Sequence, residues 1–277
     1  MRRKRKVNII IYVVCILLGL LSIMPFWIMI VNATRSTYQI QQHAVSLIPS
    51  TFFASNWAVL VGKTFNPLTG FINSVIISTG STVCAVYFST LTAYALIAYE
   101  WKMRQPFFTM ILAVMMIPTQ VISIGFYQFM YRIGMTNNLL ALILPAIAAP
   151  MTVFFMRQYM MPSLNLDIVA SARIDGAGEF RTFNSIVLPI MKPAMATQAI
   201  FTYVTSWNNL FLPMILLTKK ENYTMPIMVS LLKGDIYKTE YGAVYLALTL
   251  SVLPLFVVYF VLSKYIIAGV ALGSVKE

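Results

Sequence analysis

Charge is what this sequence has least of. Asp, Glu, Lys and Arg together make up 10% of its 277 residues, against roughly 25% in soluble globular domains. A chain so poor in charge does not have water as its main solvent. Acidic residues are scarcer than basic ones, 8 against 20, which leaves a formal net charge of +12. Cysteine occurs only at positions 15 and 84, inside apolar runs, so no disulfide framework can be argued. With one histidine, His43 in a long connection, no His/Cys cluster exists to hold a metal. His43 itself reads as a solvated or hydrogen-bonded structural residue.

The apolar remainder falls into six stretches without a single charged residue: Ile9–Val31, Phe71–Tyr99, Pro106–Tyr131, Ile133–Met156, Pro193–Thr218 and Tyr241–Ser263. Each exceeds the roughly 20 residues that a helix needs to cross a bilayer. A β-barrel would need short segments alternating apolar and polar, whereas these runs are continuous. The expected fold is therefore an all-α membrane protein with six transmembrane helices in one domain over residues 1–277, with long connections at 32–70 and 157–192. Pro25, Pro118, Pro145, Pro150, Pro213 and Pro254 lie within spans and are expected to kink or interrupt them.

The start Met1-Arg2-Arg3-Lys4-Arg5-Lys6 resembles the basic region of a signal peptide, but no small-residue cleavage site follows, so Ile9–Val31 reads as a retained first span. Thirteen of the 20 cations fall on the side of the N-terminus and of segment 157–192, and seven on the other. The short-loop bias of Lys and Arg puts the richer side in the cytoplasm. Both termini and 157–192 are then cytoplasmic, 32–70 is extracytoplasmic, and the chain is a multi-pass protein of the cell membrane. Because the cations sit between spans rather than on a soluble face, a nucleic-acid partner is not expected.

What is missing also narrows the function. There is no GxxxxGK[ST] loop, and Gly62-Lys63-Thr64 is a coincidental fragment because Trp57 stands where the first glycine belongs. The spans hold no ionisable residue to relay protons or bind coupling ions, as a secondary transporter would, and no nucleophile joined to a base, as an intramembrane enzyme would. A permease driven by other subunits, an exporter partner and a passive channel remain.

Within the connection at 157–192, Ser163 to Pro193 reads as two short helices at the membrane surface. Asn165 is placed to cap Leu166–Ile174, Asp175-Gly176 to stop it, and a second helix runs from about Glu179 to before Pro189. Phe180, Phe183 and Val187 recur at helical spacing and form an apolar face that either awaits a partner or packs back onto the protein's own helix ends or the lipid interface. Within this stretch Ala170-Ser171-Ala172-Arg173-Ile174-Asp175-Gly176-Ala177, followed by Leu188-Pro189 and Pro193, resembles the EAA loop of binding-protein-dependent ABC importers. Phe155-Met156-Arg157-Gln158-Tyr159, Trp207-Asn208-Asn209 with Pro213, Asn73-Ser74, Ala93-Tyr94-Ala95, Met116-Ile117-Pro118 and the terminal Gly273-Ser274-Val275-Lys276 resemble the carbohydrate-importer branch, of maltose and glycerol-phosphate permease type.

That resemblance implies a permease that pairs with a second, homologous permease and two ATPase subunits, and takes solute from an extracytoplasmic binding protein. ATP and magnesium belong to the ATPase, with no cofactor or metal in this chain and no enzyme activity of its own. It implies ATPase coupling through Ala170, Ser171, Ala172, Asp175, Gly176, Ala177, Phe180 and Phe183, with the terminal Gly273–Lys276 segment as a further point of reach. The sequence departs from the family at Ala170, where the acidic residue of the motif is missing.

In the fifth span Gln198, Thr202, Thr205 and Asn209 recur at i, i+4, i+7 and i+11 and share one face. A hydrated substrate path and an interhelical contact both fit such a stripe. Tyr203, Trp207 and Asn208 lie beside it, the two aromatics as candidates to stack on a sugar face, and Gln120 follows the kinking Pro118. A second stripe, Ser74, Ser78, Ser81, Ala85, Ser89 and Thr92, reads as close helix packing. Uncharged polar lining favours a neutral polyhydroxyl solute, with glycerol phosphate, a polyamine or a passive channel as alternatives. Besides sugar, lipid is the remaining expected partner.

Overall fold

The computed structural model describes residues 2–62, 66–233 and 239–273, with side chains for 10–62, 66–232 and 239–263. Lys63 and Thr64, Asp235 and Lys238, and Ser274–Lys276 lie outside the described residues. Among those described, every regular element is helical: α1 (Arg2–Ala33), α2 (Thr37–Gln42), α3 (Phe53–Gly62), α4 (Pro67–Ala98), α5 (Arg104–Met115), α6 (Thr119–Arg132), α7 (Leu140–Ile143), α8 (Pro150–Ser163), α9 (Leu166–Ile174), α10 (Glu179–Thr182), α11 (Leu188–Trp207), α12 (Phe211–Leu216), α13 (Met225–Lys233) and α14 (Tyr241–Gly273).

Among the described residues, four stretches are long and apolar enough to cross a membrane: Ile10–Ala33, Pro67–Ala98, Leu140–Ser163 and Tyr241–Ser263. The α5–α6 pair makes a fifth if it is counted as one span, bent by 98°. The bend falls at Pro118, which has no N–H to donate and caps α6 at an extended ψ of 129°. Helix α11 has the length, 20 residues, but not the apolarity, because Lys192, Thr197, Gln198, Thr202, Thr205 and Ser206 lie in it.

The chain divides into two compact units, Met1–Pro67 with Met228–Leu253 and Leu68–Ile227 with Pro254–Glu277. In the first, α1 presents Ile10, Leu17, Leu21 and Trp27 outward, as a helix solvated by lipid does. Where α1 ends, Arg35 is only 7% exposed. Its guanidinium donates to Asn32 Oδ1 at 3.0 Å and to the carbonyls of His43 at 2.7 Å and Gln39 at 3.0 Å. Those carbonyls close the C-terminal end of α2, where a cation also meets the negative end of the helix dipole. Asn56 Nδ2 donates to the carbonyls of Ala33 and Arg35, both at 2.9 Å. Thr37 Oγ1 donates to Glu240 Oε2 at 2.8 Å. The long connection after α1 is thus a hydrogen-bonded structure, as loops of this length usually are.

The second unit carries three differences from the sequence expectation. The stretch expected to span from Ile133 first turns, with Gly134 and Asn137 at φ of 70° and 57°, and becomes helical only at Leu140. Asn137 repays its left-handed backbone by accepting from the Thr218 and Lys219 amides. At its other end α8 continues past Arg157 to Ser163; the Arg157 guanidinium lies 4.2 Å above the Phe108 ring, so the surface segment begins at Leu164 and not at 157.

Finally, the helix that begins at Glu179 does not end before Pro189. It passes through a π turn at Phe183–Val187 and runs on as α11. A proline ring clashes with the carbonyl four residues back, and a π turn widens the helix at that point, so Pro189 is accommodated without a break.

Candidate functional site

The polar face read from the fifth span is real and it is open. Gln198, Thr202, Thr205 and Asn209 all line one cavity of about 310 Å³. Ser81 of α4, Leu142 of α7 and Thr152 of α8 close it from the other sides. Among the described residues, no charged side chain lines it. Ser206 and Phe201 also face the cavity; Phe201 was not singled out from the sequence, although at i+3 from Gln198 it obeys the same spacing.

The other candidates lie elsewhere. Tyr203 and Trp207 are buried, 7% and 1% exposed, and stack on each other with centroids 5.9 Å apart. Trp207 also meets the edge of Phe71 at 6.0 Å. They sit on the opposite side of α11 and hold it in place, so the expectation that they stack on a sugar is corrected: their i+5 and i+9 offsets from Gln198 turn them away. Asn208 is exposed as the C-cap of α11, and Gln120 is exposed at the start of α6; neither lines the cavity.

The serine stripe of α4 packs, as read. Ser81 Oγ donates to the Leu142 carbonyl at 3.3 Å, Ser89 Oγ to that of Ala149 at 3.4 Å, and Ser74 Oγ accepts from the Met225 amide at 2.9 Å. Gly80 lets α4 approach so closely that a Cβ there would lie 3.0 Å from Ile143.

The surface loop has the caps expected of it. Asn165 accepts from the Asp167 amide at 2.9 Å. At the far end Gly176 takes a φ of +79°, the Ala177 amide donates to the Ala172 carbonyl and the Gly176 amide to that of Arg173. This double closure requires a left-handed residue, which glycine adopts without strain. Ala170, Ser171, Asp175, Gly176 and Phe180 are exposed, Ala177 is half-buried and Ala172 is buried. Phe183 is 1% exposed, packed 5.6 Å from Tyr87 and 5.7 Å from Tyr94, and Val187 is fully buried. The apolar face expected to await a partner therefore belongs to the protein's own core, except for Phe180, 71% exposed. Beside it Ile174 is 86% exposed. It was passed over in the sequence, where the signal was a large aliphatic residue directly before the Asp-Gly stop.

Glu179, which the sequence marks only as the start of the second helix, is the centre of this region. Glu179 accepts from Arg173 Nε at 2.6 Å and Nη2 at 3.3 Å, and from the hydroxyls of Tyr94, at 3.1 Å, and Tyr99. Arg173 also lies 5.1 Å over the Tyr99 ring. One side chain thereby ties α9, α10 and the end of α4 together. The Arg173 bond, then that of Tyr99, holds the Glu179 carboxyl below its usual range; burial, then the Glu179 bond, raises the Tyr99 hydroxyl.

Comparison with known proteins bears on both features. A family model described as binding-protein-dependent transport system inner membrane component matches residues 85–271. The chain is 32% identical over 261 residues to the arabinooligosaccharides transport system permease protein AraQ of Halalkalibacterium halodurans, covering 94% of this chain and 93% of that one. It is 31% identical over 274 residues to the lactose transport system permease protein LacG of Rhizobium radiobacter, covering 99% and 98%. Among solved structures, a chain from a bacterial ABC transporter involved in the import of the acidic polysaccharide alginate superposes with a TM-score of 0.79 at 23% identity, over 96% of this chain and 98% of that one. At that identity the likeness speaks for the fold.

Proposed function

The chain belongs to the family of binding-protein-dependent transport system inner membrane components, and from that premise we propose that it forms half of a path for a neutral sugar or oligosaccharide. Its role as a permease subunit rests on the family. The solute class rests on one observation: a cavity of about 310 Å³ in which amide and hydroxyl side chains are set among Leu142, Ala146, Met151 and Phe201, with no charged side chain among the described residues that line it. Amides and hydroxyls both donate and accept, which suits polyols. A phosphate ester would want a cation there, and a polyamine a carboxylate.

In this reading the loop end of the molecule is cytoplasmic, the membrane is the cell membrane, and Ile174, Gly176 and Phe180 dock on an ATPase subunit that supplies the energy. A second permease completes the path and an extracytoplasmic binding protein delivers the sugar. Each partner must prefer one of two states, since a ligand shifts an equilibrium only by its differential affinity.

The solute assignment is tested by Thr205→Val and Asn209→Leu in the assembled complex. Losing a desolvated hydrogen-bond partner costs about 1–3 kcal/mol, roughly 5- to 150-fold, so sugar uptake should fall by that order while complex yield stays level. Asn209 Oδ1 also accepts from the Leu212 amide at 3.4 Å, which is why Thr205→Val, isosteric and without that second role, accompanies it. Normal uptake by both variants in well-assembled complexes would remove this face from the path.

The docking assignment is tested at Gly176. Valine at a φ of +79° costs on the order of 1–3 kcal/mol of backbone strain, concentrated at the loop tip. ATP hydrolysis is expected to lose its stimulation by sugar and binding protein. Full stimulation in a Gly176→Val complex would place docking elsewhere.

A further inference from the structure

A second cavity, of about 420 Å³, lies between α4, α11 and the last part of α14. It is separate from the polar one and differs in kind. Val83, Val86, Ala196, Ala199 and Leu262 make its walls apolar, and Lys192 stands at its rim. Lys192 is exposed, is the only cation of α11 and makes no ion pair among the described residues. Thr82 also lines the cavity, and its Oγ1 is buried with no hydrogen-bond partner.

Depth in the membrane follows from helix length. The 32 residues of α4 rise about 48 Å, roughly 18 Å more than the hydrocarbon core. The excess belongs at the loop end, where Tyr94 and Tyr99 hold Glu179. Twelve residues of helix take up about 18 Å, which brings the edge of the hydrocarbon to the level of Tyr87. Helices α4 and α11 run antiparallel, so Tyr87 and Lys192 mark the rim of the cavity while Thr82 and Ala199 lie about 8–10 Å deeper. A cation at the rim, an unused hydroxyl below it and apolar walls around it follow the order of phosphate, ester and acyl chain in a phospholipid. Basic pockets between transmembrane helices bind anionic headgroups on this principle.

We propose that this groove is a binding site for one anionic phospholipid, its phosphate on Lys192, an ester oxygen on the Thr82 hydroxyl and an acyl chain along Val83 and Ala199. The site itself does not depend on the sugar assignment. Only its placement in the cytoplasmic leaflet rests on the orientation proposed above.

The intact complex, reconstituted in nanodiscs of phosphatidylcholine with or without phosphatidylglycerol and then exchanged into detergent, provides the test, with retained lipid counted by native mass spectrometry. Wild type and Lys192→Arg should retain phosphatidylglycerol. Lys192→Gln should retain about tenfold less, as the loss of one charge-assisted hydrogen bond implies, and Ala196→Phe, which fills the groove, should retain none whatever the charge at 192. A photoreactive residue at Val83 should label phospholipid. Equal retention by all four proteins would overturn the site, and so would labelling of a second membrane subunit by Val83, which would make the groove a subunit interface.

Discussion

Alanine at Gly242 should strongly destabilise the unit formed by Met1–Pro67 and Met228–Leu253. The new Cβ would stand 2.4 Å and 2.5 Å from the amide atoms of Asn56 and 2.5 Å from the carbonyl of Arg35, distances at which something must move. Asn56 cannot retreat without dropping its bonds to Ala33 and Arg35, and the Arg35 carbonyl is backbone. Overpacking of this kind costs about 1–3 kcal/mol, and each buried group left unsatisfied about 1–3 kcal/mol more. Against a typical total of about 5–15 kcal/mol the sum is severe. A marked fall in thermal midpoint and yield in detergent is expected for Gly242→Ala. In an Asn56→Ala background, where the amide is already gone, the added methyl should cost measurably less. Equal costs in the two backgrounds would show that the amide is not what the methyl strikes.

The second large effect is expected at Glu179. With alanine there, the hydroxyl of Tyr94, a residue only 2% exposed, loses its acceptor, at about 1–3 kcal/mol. The Arg173 pair, whose side chains are 38% and 45% exposed, adds only about 0–1 kcal/mol after solvent screening. Glutamine keeps an acceptor for the tyrosines, so the order of damage should be alanine well above glutamine. Amide hydrogen exchange across residues 164–178 should report the loosening, and transport per ATP hydrolysed should fall with it. If exchange is unchanged in Glu179→Ala, the loop is positioned by its caps alone.

The pH dependence of that clamp has a definite sign. The carboxyl is depressed in the folded state, so its contribution is fully present above the ordinary carboxylate range and is lost as pH falls through the lower folded value. Tyr99, raised, keeps its proton through neutrality. Loop protection should therefore be flat from about pH 5 to 8 and decline only in stronger acid.

Much of this architecture is legible in the sequence because the membrane imposes a one-dimensional rule: an uncharged run must be helix. Helix α14 starts at Tyr241, where the last uncharged run starts, and the caps at Asn165 and Gly176 are where their chemistry demands. The rule fails where an apolar residue has a choice of company. Ile133–Leu139 is as uncharged as a span, yet Asn137 draws it into a turn by bonding the Thr218 and Lys219 amides, a partner eighty residues away that no local pattern announces. Phe183 and Val187 show the same limit at the loop: period identifies their face, but only packing against Tyr87 and Tyr94 says that the face is already covered. Pro189 reads as a helix stop because its clash is local, whereas the π turn that relieves it is a property of the five residues before it. In the cavity, spacing collects Gln198, Thr202 and Thr205 because they lie on α11, and Asn209 because it follows two residues past that helix's end. The residues that complete the wall, Ser81, Leu142 and Thr152, come from three others.

The uninterrupted passage from α10 through the π turn into α11 has a mechanical consequence. From Glu179 to Trp207 the chain is one rod of 29 residues, about 43 Å long. Its near end is gripped by Arg173 and the two tyrosines, and its far half bears Gln198, Thr202, Thr205 and Ser206 of the cavity wall. Such a rod acts as a lever arm: a rotation of a few degrees at the gripped end swings the far end by several ångströms, with no loop between to absorb the stroke. The π turn, the one place where the pitch changes, is its natural pivot.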